Sequence, residues 1–396
     1  MEHAHAETTT PTTAAVRRER RPPRRGRSGT PGVARGLEHV TVAETRISHI
    51  DATAGRLIYA GHDAVGLART RTFEDVWALL LTGILPAGDA FARRVADARA
   101  LPLPADVLRG LSRGDGPMPA RLQSALAATA AAWGLAPWYG RDLAMAEDEA
   151  VSLAATAPAL VAALWRLGRG LDPVPADPGL GHVADYLRML DARTPAPAAV
   201  MAAERYLVLT AEHGLNASTF TARVIASTGA DVGAAFVGAA GALSGPLHGG
   251  APSLVLEMLD EIGSVERAGS WIADAMARGQ RLMGFGHRVY RTEDPRAACL
   301  RETAEAIGAP RFALARAVEI EALDRLHLAK PDRVLATNVE FWAAVVLEAA
   351  GIPRPLFTPT FTIARLAGWS AHVLEQIRDN RLIRPSATYV GPPVRG

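Results

Sequence analysis

The chain has 396 residues, of which 49% are hydrophobic and 21% charged, a composition typical of a globular protein with a substantial buried core. The formal net charge is +2, and residues 1–35 carry eight arginines against three acids, so the rest of the chain is slightly acidic. This excludes a basic nucleic-acid-binding body. The single cysteine, Cys299, excludes an internal disulfide and a cysteine metal cluster, and it favours a cytoplasmic location.

Residues 1–36 are rich in Thr, Pro, Arg and Gly and have no apolar period, so we predict a disordered tail. Its prolines and interspersed acids argue against an organelle-targeting peptide. The longest apolar stretches, 125–132 and 154–164, fall short of the roughly 18–20 residues that a membrane span needs. The sequence therefore predicts no transmembrane helix.

The rest of the chain is predicted to be helical nearly throughout, because apolar residues recur at spacings of three and four. A short hairpin is expected within residues 41–59, turning around Ala54-Gly55, and no large sheet is indicated. The Pro-rich stretches 171–178 and 194–198 are predicted to be loops between helices. Four later helices have clear signals: 217–228 between an N-cap at Asn216 and a stop at Gly229, 236–243 before Gly245-Pro246, 254–262 with Pro252 in its first turn, and 363–377 after Pro359.

Three histidines lie among small residues: His213 in AEHGLNAST, His248 in SGPLHGGAP and His287 in MGFGHRVYR. Neighbouring glycines let a substrate or backbone approach an imidazole closely. A single histidine beside glycine is more often a turn residue, but three in one region indicate a shared site. His248 precedes a predicted helix N-terminus, which disfavours imidazolium, and a neutral imidazole can donate a hydrogen bond to a carbonyl oxygen that becomes enolate-like.

Arginines form a second candidate group: Arg291, Arg296, Arg365 and Arg384. Guanidinium groups suit bidentate capture of carboxylates, although a solvated surface position is the alternative for any one of them. A solvated surface position is less expected for Arg365, because this residue follows the apolar run FTPTFTIA. Glu340 in ATNVEFWAAVVL is the best candidate for a base, since burial would raise its pKa, and a first-turn helix glutamate is the alternative interpretation.

Six segments, in chain order, resemble the citrate synthase family in its shorter bacterial form. GPLHGG and GFGHRVY…DPR are specific patterns, and the resemblance covers roughly residues 37–392. It implies an all-α fold with a large domain (37–249 and 351–396), a smaller mobile domain (250–350) that closes over the site, and a homodimer. The matching segments are VAETRISHIDATAGRLIYAGHD, EHGLNASTFTARVIASTGAD, GALSGPLHGGAPSLVLEML, MGFGHRVYRTEDPRA, TNVEFWAAVVLEAAGIP with FTPTFTIARLAGWSAH, and RLIRPSATYVGP.

The resemblance also implies an activity: condensation of acetyl-CoA with oxaloacetate to citrate and CoA, through an enol and hydrolysis of citryl-CoA. It requires no metal or redox cofactor. In the family's pattern, His248 stabilises the enol, Glu340 removes the methyl proton, and His287 polarises the keto group. The remaining matches are to binding positions: His213, Arg296, Arg365 and Arg384 for oxaloacetate, with Arg384 supplied by the partner subunit, and Arg291, Gly284, Phe285 and Gly286 for CoA.

Two positions depart from the family's pattern. Ala60 replaces a common arginine, and Glu340 stands where aspartate is usual. The extra methylene extends the reach by roughly 1.5 Å, and a misplacement of about 1 Å can lower a rate on the order of 100-fold. The intact surrounding motif favours a compensating backbone.

Alternatives to citrate synthase remain open at this point. A 2-methylcitrate synthase would use propionyl-CoA. One added methylene changes the binding free energy in a pocket by only about 1–3 kcal/mol, so such enzymes can accept both thioesters. The change to Glu340 motivates a second alternative, a catalytically weak regulatory paralogue that binds CoA or a keto acid. A citryl-CoA-cleaving enzyme is a third, although such modules usually belong to longer chains.

Overall fold

The computed structural model describes residues 33–37, 40–249, 251–287, 289–333 and 335–393. Residues 45–384 form one compact unit, and the described residues before and after them belong to a second. The second unit contains a 3-10 turn at Arg35–Leu37 and a hydrogen bond from the Tyr389 hydroxyl to the Pro392 carbonyl (2.8 Å). The predicted disordered tail lies almost wholly outside the described residues.

The larger unit is mostly helical, which confirms the predicted all-α class. Three antiparallel strands accompany the helices: β1 (Ser48–Asp51), β2 (Arg56–Tyr59) and β3 (His62–Asp63). Its described α-helices are α1 (Ala64–Thr70), α2 (Phe73–Thr82), α3 (Ala90–Arg99), α4 (Ala105–Ser112), α5 (Met118–Ala132), α6 (Leu143–Leu167), α7 (His182–Asp191), α8 (Pro197–Thr210), α9 (Ala217–Ser227), α10 (Val232–Leu243), α11 (Ala251–Ile262), α12 (Ala268–Ala277), α13 (Pro295–Ala306), α14 (Phe312–Ala329), α15 (Val339–Ala349) and α16 (Phe357–Arg378).

Side-chain caps fix where several helices begin. The Asn216 side chain accepts a hydrogen bond from the Thr219 backbone nitrogen (3.1 Å), so α9 begins at the predicted position. Gly229 follows its end with a φ of +87°. Each such cap contributes about 1 kcal/mol to the free energy of unfolding. Further helices begin with caps from Asp63, Asp142, Asp231, Asp294 and Asn338.

The predicted hairpin is confirmed by the pairing of β1 with β2, in which Ser48 lies opposite Tyr59. In the turn, Asp51 accepts hydrogen bonds from the backbone nitrogens of Thr53 (3.1 Å) and Ala54 (2.8 Å), and Gly55 has a φ of +63°. The third strand, only two residues long, is too short to give an alternating pattern and was not predicted.

Two helices form the centre of the larger unit. By length and composition α6 is the one helix in the described part of the chain that could cross a membrane, and 78% of its apolar window is buried within the protein. It is therefore a core helix. α16 packs against α6 and also against α2, α8, α9 and α10, which gives it a buried position across most of its length.

Two proline-based predictions are wrong by a few residues. α16 begins at Phe357, so Pro359 lies in its first turn, and α8 begins at Pro197, inside the predicted 194–198 loop. Proline is tolerated in a first helical turn because the nitrogen there has no intrahelical acceptor. The loop at 171–178 is confirmed. The division into a large domain and a mobile domain at 250–350 stays a prediction.

Candidate active site

Most of the predicted site residues lie at or near helix ends. His213 follows α8, and His248 lies between α10 and α11. Arg296 and Glu340 are in the first turns of α13 and α15. Arg365 lies inside α16. α8 packs against α13, α15 and α16, which brings these helices together.

His213, His287 and Tyr290 form an aromatic cluster. The two histidine rings are 5.5 Å apart, and His213 Nε2 lies 3.3 Å from the Tyr290 hydroxyl. His287 Nδ1 accepts hydrogen bonds from the backbone nitrogens of Val289 (2.9 Å) and Tyr290 (3.1 Å). A neutral imidazole has one acceptor and one donor nitrogen, so the hydrogen of His287 is on Nε2. That nitrogen can donate to a bound oxygen.

The three predicted histidines are held neutral. Burial, and next the Arg296 charge, lowers the pKa of His287 to about 4. Burial and Arg365 lower the pKa of His248 to about 4. For His213, burial followed by Arg296 places the pKa well below its ordinary value. All three imidazoles can therefore donate a hydrogen bond at neutral pH without carrying charge.

His248 is oriented by Ser218 in the first turn of α9. Its Nε2 lies 2.9 Å from the Ser218 hydroxyl and 3.4 Å from the Ser218 backbone nitrogen. The same hydroxyl lies 2.7 Å from the Asn216 side-chain oxygen. The N-terminal turn of α9 thus fixes one edge of the imidazole, which leaves Nδ1 as the nitrogen that can face a substrate.

Asp294 links Arg296 to the start of α15. Its carboxylate accepts from Arg296 Nε (3.0 Å) and Nη2 (2.8 Å), and one oxygen also accepts from the Val339 backbone nitrogen (3.1 Å). Burial acts to lower the pKa of Arg296, but the Asp294 carboxylate outweighs it and raises that pKa. His287 Nε2 lies 4.0 Å from the same carboxylate. Asp294 therefore sets the position of Arg296 relative to Glu340.

Arg365 is a buried cation on α16. Its side chain lies over the Phe361 ring at 4.8 Å, and the residue is 3% exposed. Among the described residues, no hydrogen-bond partner reaches its Nε or Nη1. Burial lowers the pKa of Arg365 to about 10, the Glu212 carboxylate opposes this, and the Arg296 charge adds to it. Unsatisfied guanidinium hydrogens in a buried position indicate an anion site.

Glu340 lies in the first turn of α15 and is partly buried. Its backbone nitrogen donates to the Asn338 side chain (3.1 Å). Burial raises the pKa of its carboxyl to about 7, although Arg296 and Arg281 act in the opposite direction. A carboxylate with this pKa is partly ionised at neutral pH and basic enough to accept a proton from a weak acid.

The segment 284–286 is joined to the residues that precede α15. The Gly284 carbonyl accepts from the Asn338 backbone nitrogen (2.9 Å), and the Asn338 side chain donates to the Gly286 carbonyl (3.0 Å). Gly284 has a φ of +86°, and a Cβ there would lie 2.6 Å from the Phe341 Cβ, so only glycine fits. Phe285 packs on the Phe341 ring at 5.2 Å. The predicted CoA segment and Glu340 are therefore held together.

Two predicted residues lie outside this cluster. Arg291 is exposed, and its backbone nitrogen donates to the Ala52 carbonyl (3.0 Å) in the hairpin turn. Arg384 is exposed in the extended segment after α16, and no hydrogen bond joins it to the cluster within the part of the chain that is described. The structure thus brings together His213, His248, His287, Arg296, Glu340 and Arg365, with the 284–286 segment beside them.

Sequence reasoning missed four polar residues of the site: Ser218, Tyr290, Asp294 and Asn338. Their contacts join segments that are distant in sequence, as between Asp294 and the Val339 backbone nitrogen. A weak local signal existed for two of them. Asp294 precedes Pro295 and Asn338 precedes an apolar helix, and both patterns are typical of N-caps.

Comparisons with known proteins point to one family. Residues 36–386 match the family model described as citrate synthase, C-terminal domain. A protein of Mycobacterium tuberculosis (strain ATCC 25618 / H37Rv), provisionally named citrate synthase 2, is 46% identical over 368 residues, 91% of this chain and 93% of that protein. Citrate synthase from Pyrobaculum aerophilum superposes with a TM-score of 0.84 at 37% identity, over 92% and 94% of the two chains. Citrate synthase from Thermoplasma acidophilum, solved as a ternary complex with carboxymethyl coenzyme A and oxaloacetate, superposes with a TM-score of 0.83 at 28% identity, over 93% of this chain and 98% of that chain.

Proposed function

The chain belongs to the citrate synthase family, and on that premise we propose that it condenses acetyl-CoA with oxaloacetate, with its catalytic groups supplied by His248, His287 and Glu340. The similarity extends over about nine-tenths of the chain and of its relatives, so the enzyme class is that of an acyltransferase of the citrate synthase type. The roles of individual residues rest on the chemistry of the site.

The observation that carries the proposal is the buried guanidinium of Arg365, whose Nε and Nη1 have no hydrogen-bond partner in the described part of the chain, near Arg296 and three neutral histidines. Two guanidinium groups in a buried site suit a dicarboxylate. Arg365 can bind one carboxylate by parallel hydrogen bonds, and Arg296, whose Nε and Nη2 already donate to Asp294, can donate to the other from its remaining N–H groups. Neutral imidazoles add donors without adding charge. Oxaloacetate has this pair of carboxylates and a keto oxygen between them.

The first step is removal of a proton from the acyl methyl group. The Glu340 carboxylate accepts this proton, while His248 Nδ1 donates a hydrogen bond to the thioester oxygen as negative charge develops there. An imidazole with a pKa of about 4 donates without first losing a charge, so it stabilises the enol at neutral pH. The Ser218 backbone nitrogen donates to Nε2 (3.4 Å), which leaves the ring hydrogen on Nδ1 as this step requires.

The second step forms the carbon–carbon bond. The enol carbon attacks the keto carbon of oxaloacetate, and His287 Nε2–H donates to the keto oxygen and protonates the resulting alkoxide. Arg296 and Arg365 hold the carboxylates, and His213 lies beside His287 on the same side. Water then hydrolyses the citryl thioester and releases CoA.

The 284–286 segment, with Arg291, is assigned to CoA. Its hydrogen bonds to Asn338 would place a bound thioester next to Glu340. Closure of residues 250–350 would exclude water during condensation. We assign a further carboxylate contact to Arg384 of the partner subunit in a homodimer, since Arg384 is exposed in the extended segment after α16.

Thiol release with each acyl-CoA and oxaloacetate tests this function. We expect turnover with acetyl-CoA to exceed turnover with propionyl-CoA, because the relatives that cover most of the chain are citrate synthases. A preference for propionyl-CoA would identify a 2-methylcitrate synthase instead. Binding of CoA without turnover of either thioester would contradict the enzymatic role and favour the regulatory alternative.

A further inference from the structure

We propose that a second ligand site, separate from the histidine cluster, lies between α7 and α8 and binds a primary ammonium group carried on an apolar body. The site is a cavity of about 560 Å³, within the size range of small-molecule pockets. Val200, Met201 and Glu204 line it from one face of α8, because residues three and four apart on a helix lie side by side. Leu180 and Pro195 complete an apolar wall from the adjoining loops.

Glu204 is the acidic group on the α8 wall. One carboxylate oxygen accepts a hydrogen bond from the Phe73 backbone nitrogen at the start of α2. Burial, and next the Glu74 carboxylate, raises the pKa of Glu204 to about 8, and Asp75 adds to the same effect. Its surroundings on the α2 side are therefore acidic, with no basic side chain that would stabilise the ionised form among these contacts.

The other charged groups near the cavity are two arginines and two aspartates. Arg188 lines the cavity, but its Nε and Nη2 both donate to Asp185 (2.8 and 2.6 Å), and Arg99 Nε donates to the other oxygen of that carboxylate (2.7 Å). Asp177 adds a further carboxylate at the rim. His182 contributes no charge, because burial places its pKa well below the ordinary value. A cation in the cavity would supply the positive charge that Glu204 lacks.

The chemistry of the walls narrows the class of ligand. With one oxygen of Glu204 already bonded to Phe73, the second can accept from an ammonium hydrogen, whereas a planar amidinium would need both oxygens for a bidentate pair. The apolar side chains suit a hydrocarbon or aromatic body. Above the pKa of Glu204, its carboxylate and that of Asp177 together disfavour an anionic ligand.

Calorimetric titration of the full chain with tryptamine tests this site. Because Glu204 must lose its proton to accept the ammonium group, we expect affinity to rise roughly tenfold from pH 7 to pH 9, with proton release at pH 7. The amine stays charged over this range, as lysine does. Proton release is measured by comparing two buffers of different ionisation enthalpy.

The control ligands are tryptophol, which is neutral, and indole-3-propionate, which is anionic. Both should bind more weakly than tryptamine, and their affinity should not rise from pH 7 to pH 9.

Glu204→Gln keeps the shape of the side chain and relieves the repulsion from Glu74, so the variant should fold. Its affinity for tryptamine at pH 9 should be at least tenfold lower. Met201→Trp, which fills the cavity, should also lose binding. Equal affinity for tryptamine and tryptophol, unchanged binding by Glu204→Gln, or displacement by oxaloacetate would overturn the proposal.

Discussion

Replacing Glu340 by glutamine is expected to lower kcat for citrate formation by about 10²- to 10⁴-fold, the usual contribution of a general base. Glutamine keeps the size and the hydrogen-bonding shape of the side chain but cannot accept the methyl proton. The KM for oxaloacetate should change little, because Arg296 and Arg365 bind that substrate. The measurement is steady-state thiol release with both substrates varied.

Glu348→Gln is the matched control, since Glu348 lies on the same helix, is half-buried, and pairs with Arg311 (2.6 Å) and Arg354 (3.1 Å), which are not part of the site. The variant can lower stability by weakening these ion pairs, but kcat should be unchanged because none of the three residues contacts the site. Glu340→Asp keeps the carboxylate and should retain more activity than the glutamine variant. A Glu340→Gln enzyme with full activity would show that another group removes the proton.

Replacing Arg365 by methionine is expected to raise the KM for oxaloacetate on the order of 10²- to 10³-fold, as loss of a buried charge pair with a substrate carboxylate typically does. The same variant should be at least as stable as the wild type. In the absence of substrate the guanidinium is buried and its Nε and Nη1 lack partners among the described residues, so removing it relieves an unfavourable burial. The two measurements are oxaloacetate titration of the rate and thermal unfolding without ligand.

Arg378→Met is the control for this variant, because Arg378 lies in the last turn of the same helix and is exposed. It should leave both the KM for oxaloacetate and the melting temperature unchanged. A large loss of stability in Arg365→Met with an unchanged KM would show that Arg365 has a structural role instead.

Much of the fold could be predicted because helix ends and tight turns depend on residues close together in the sequence. Asn216 and Gly229 mark the ends of α9 by chemistry that acts within one helical turn, and the β1–β2 turn depends on Gly55 in the same way. Proline gave weaker predictions. Pro197 and Pro359 fit both a loop and a first helical turn, and only the packing of the helices decides between them.

The site was predictable in part. Glycine neighbours and the family's motifs singled out His213, His248 and His287, and the structure gathers two of them into direct ring contact. The environment that sets their pKa values was not predictable, since it depends on burial and on charges from other helices. For Glu340, the sequence alone could not decide between a buried base and an ordinary glutamate in the first turn of a helix. In the folded chain, burial raises the pKa of its carboxyl to about 7.

The dependence of kcat/KM for acetyl-CoA on pH, with oxaloacetate saturating, tests most directly whether Glu340 is the base. Only the ionised carboxylate can accept the proton, so with a pKa of about 7 we expect activity to fall about tenfold per pH unit below that value and to level off above it. The histidines, with pKa values of about 4 for His248 and His287, stay neutral and add no second limb above pH 5. A profile that is flat between pH 5.5 and 8, or a limb near pH 7 that persists in the residual activity of Glu340→Gln, would contradict the account.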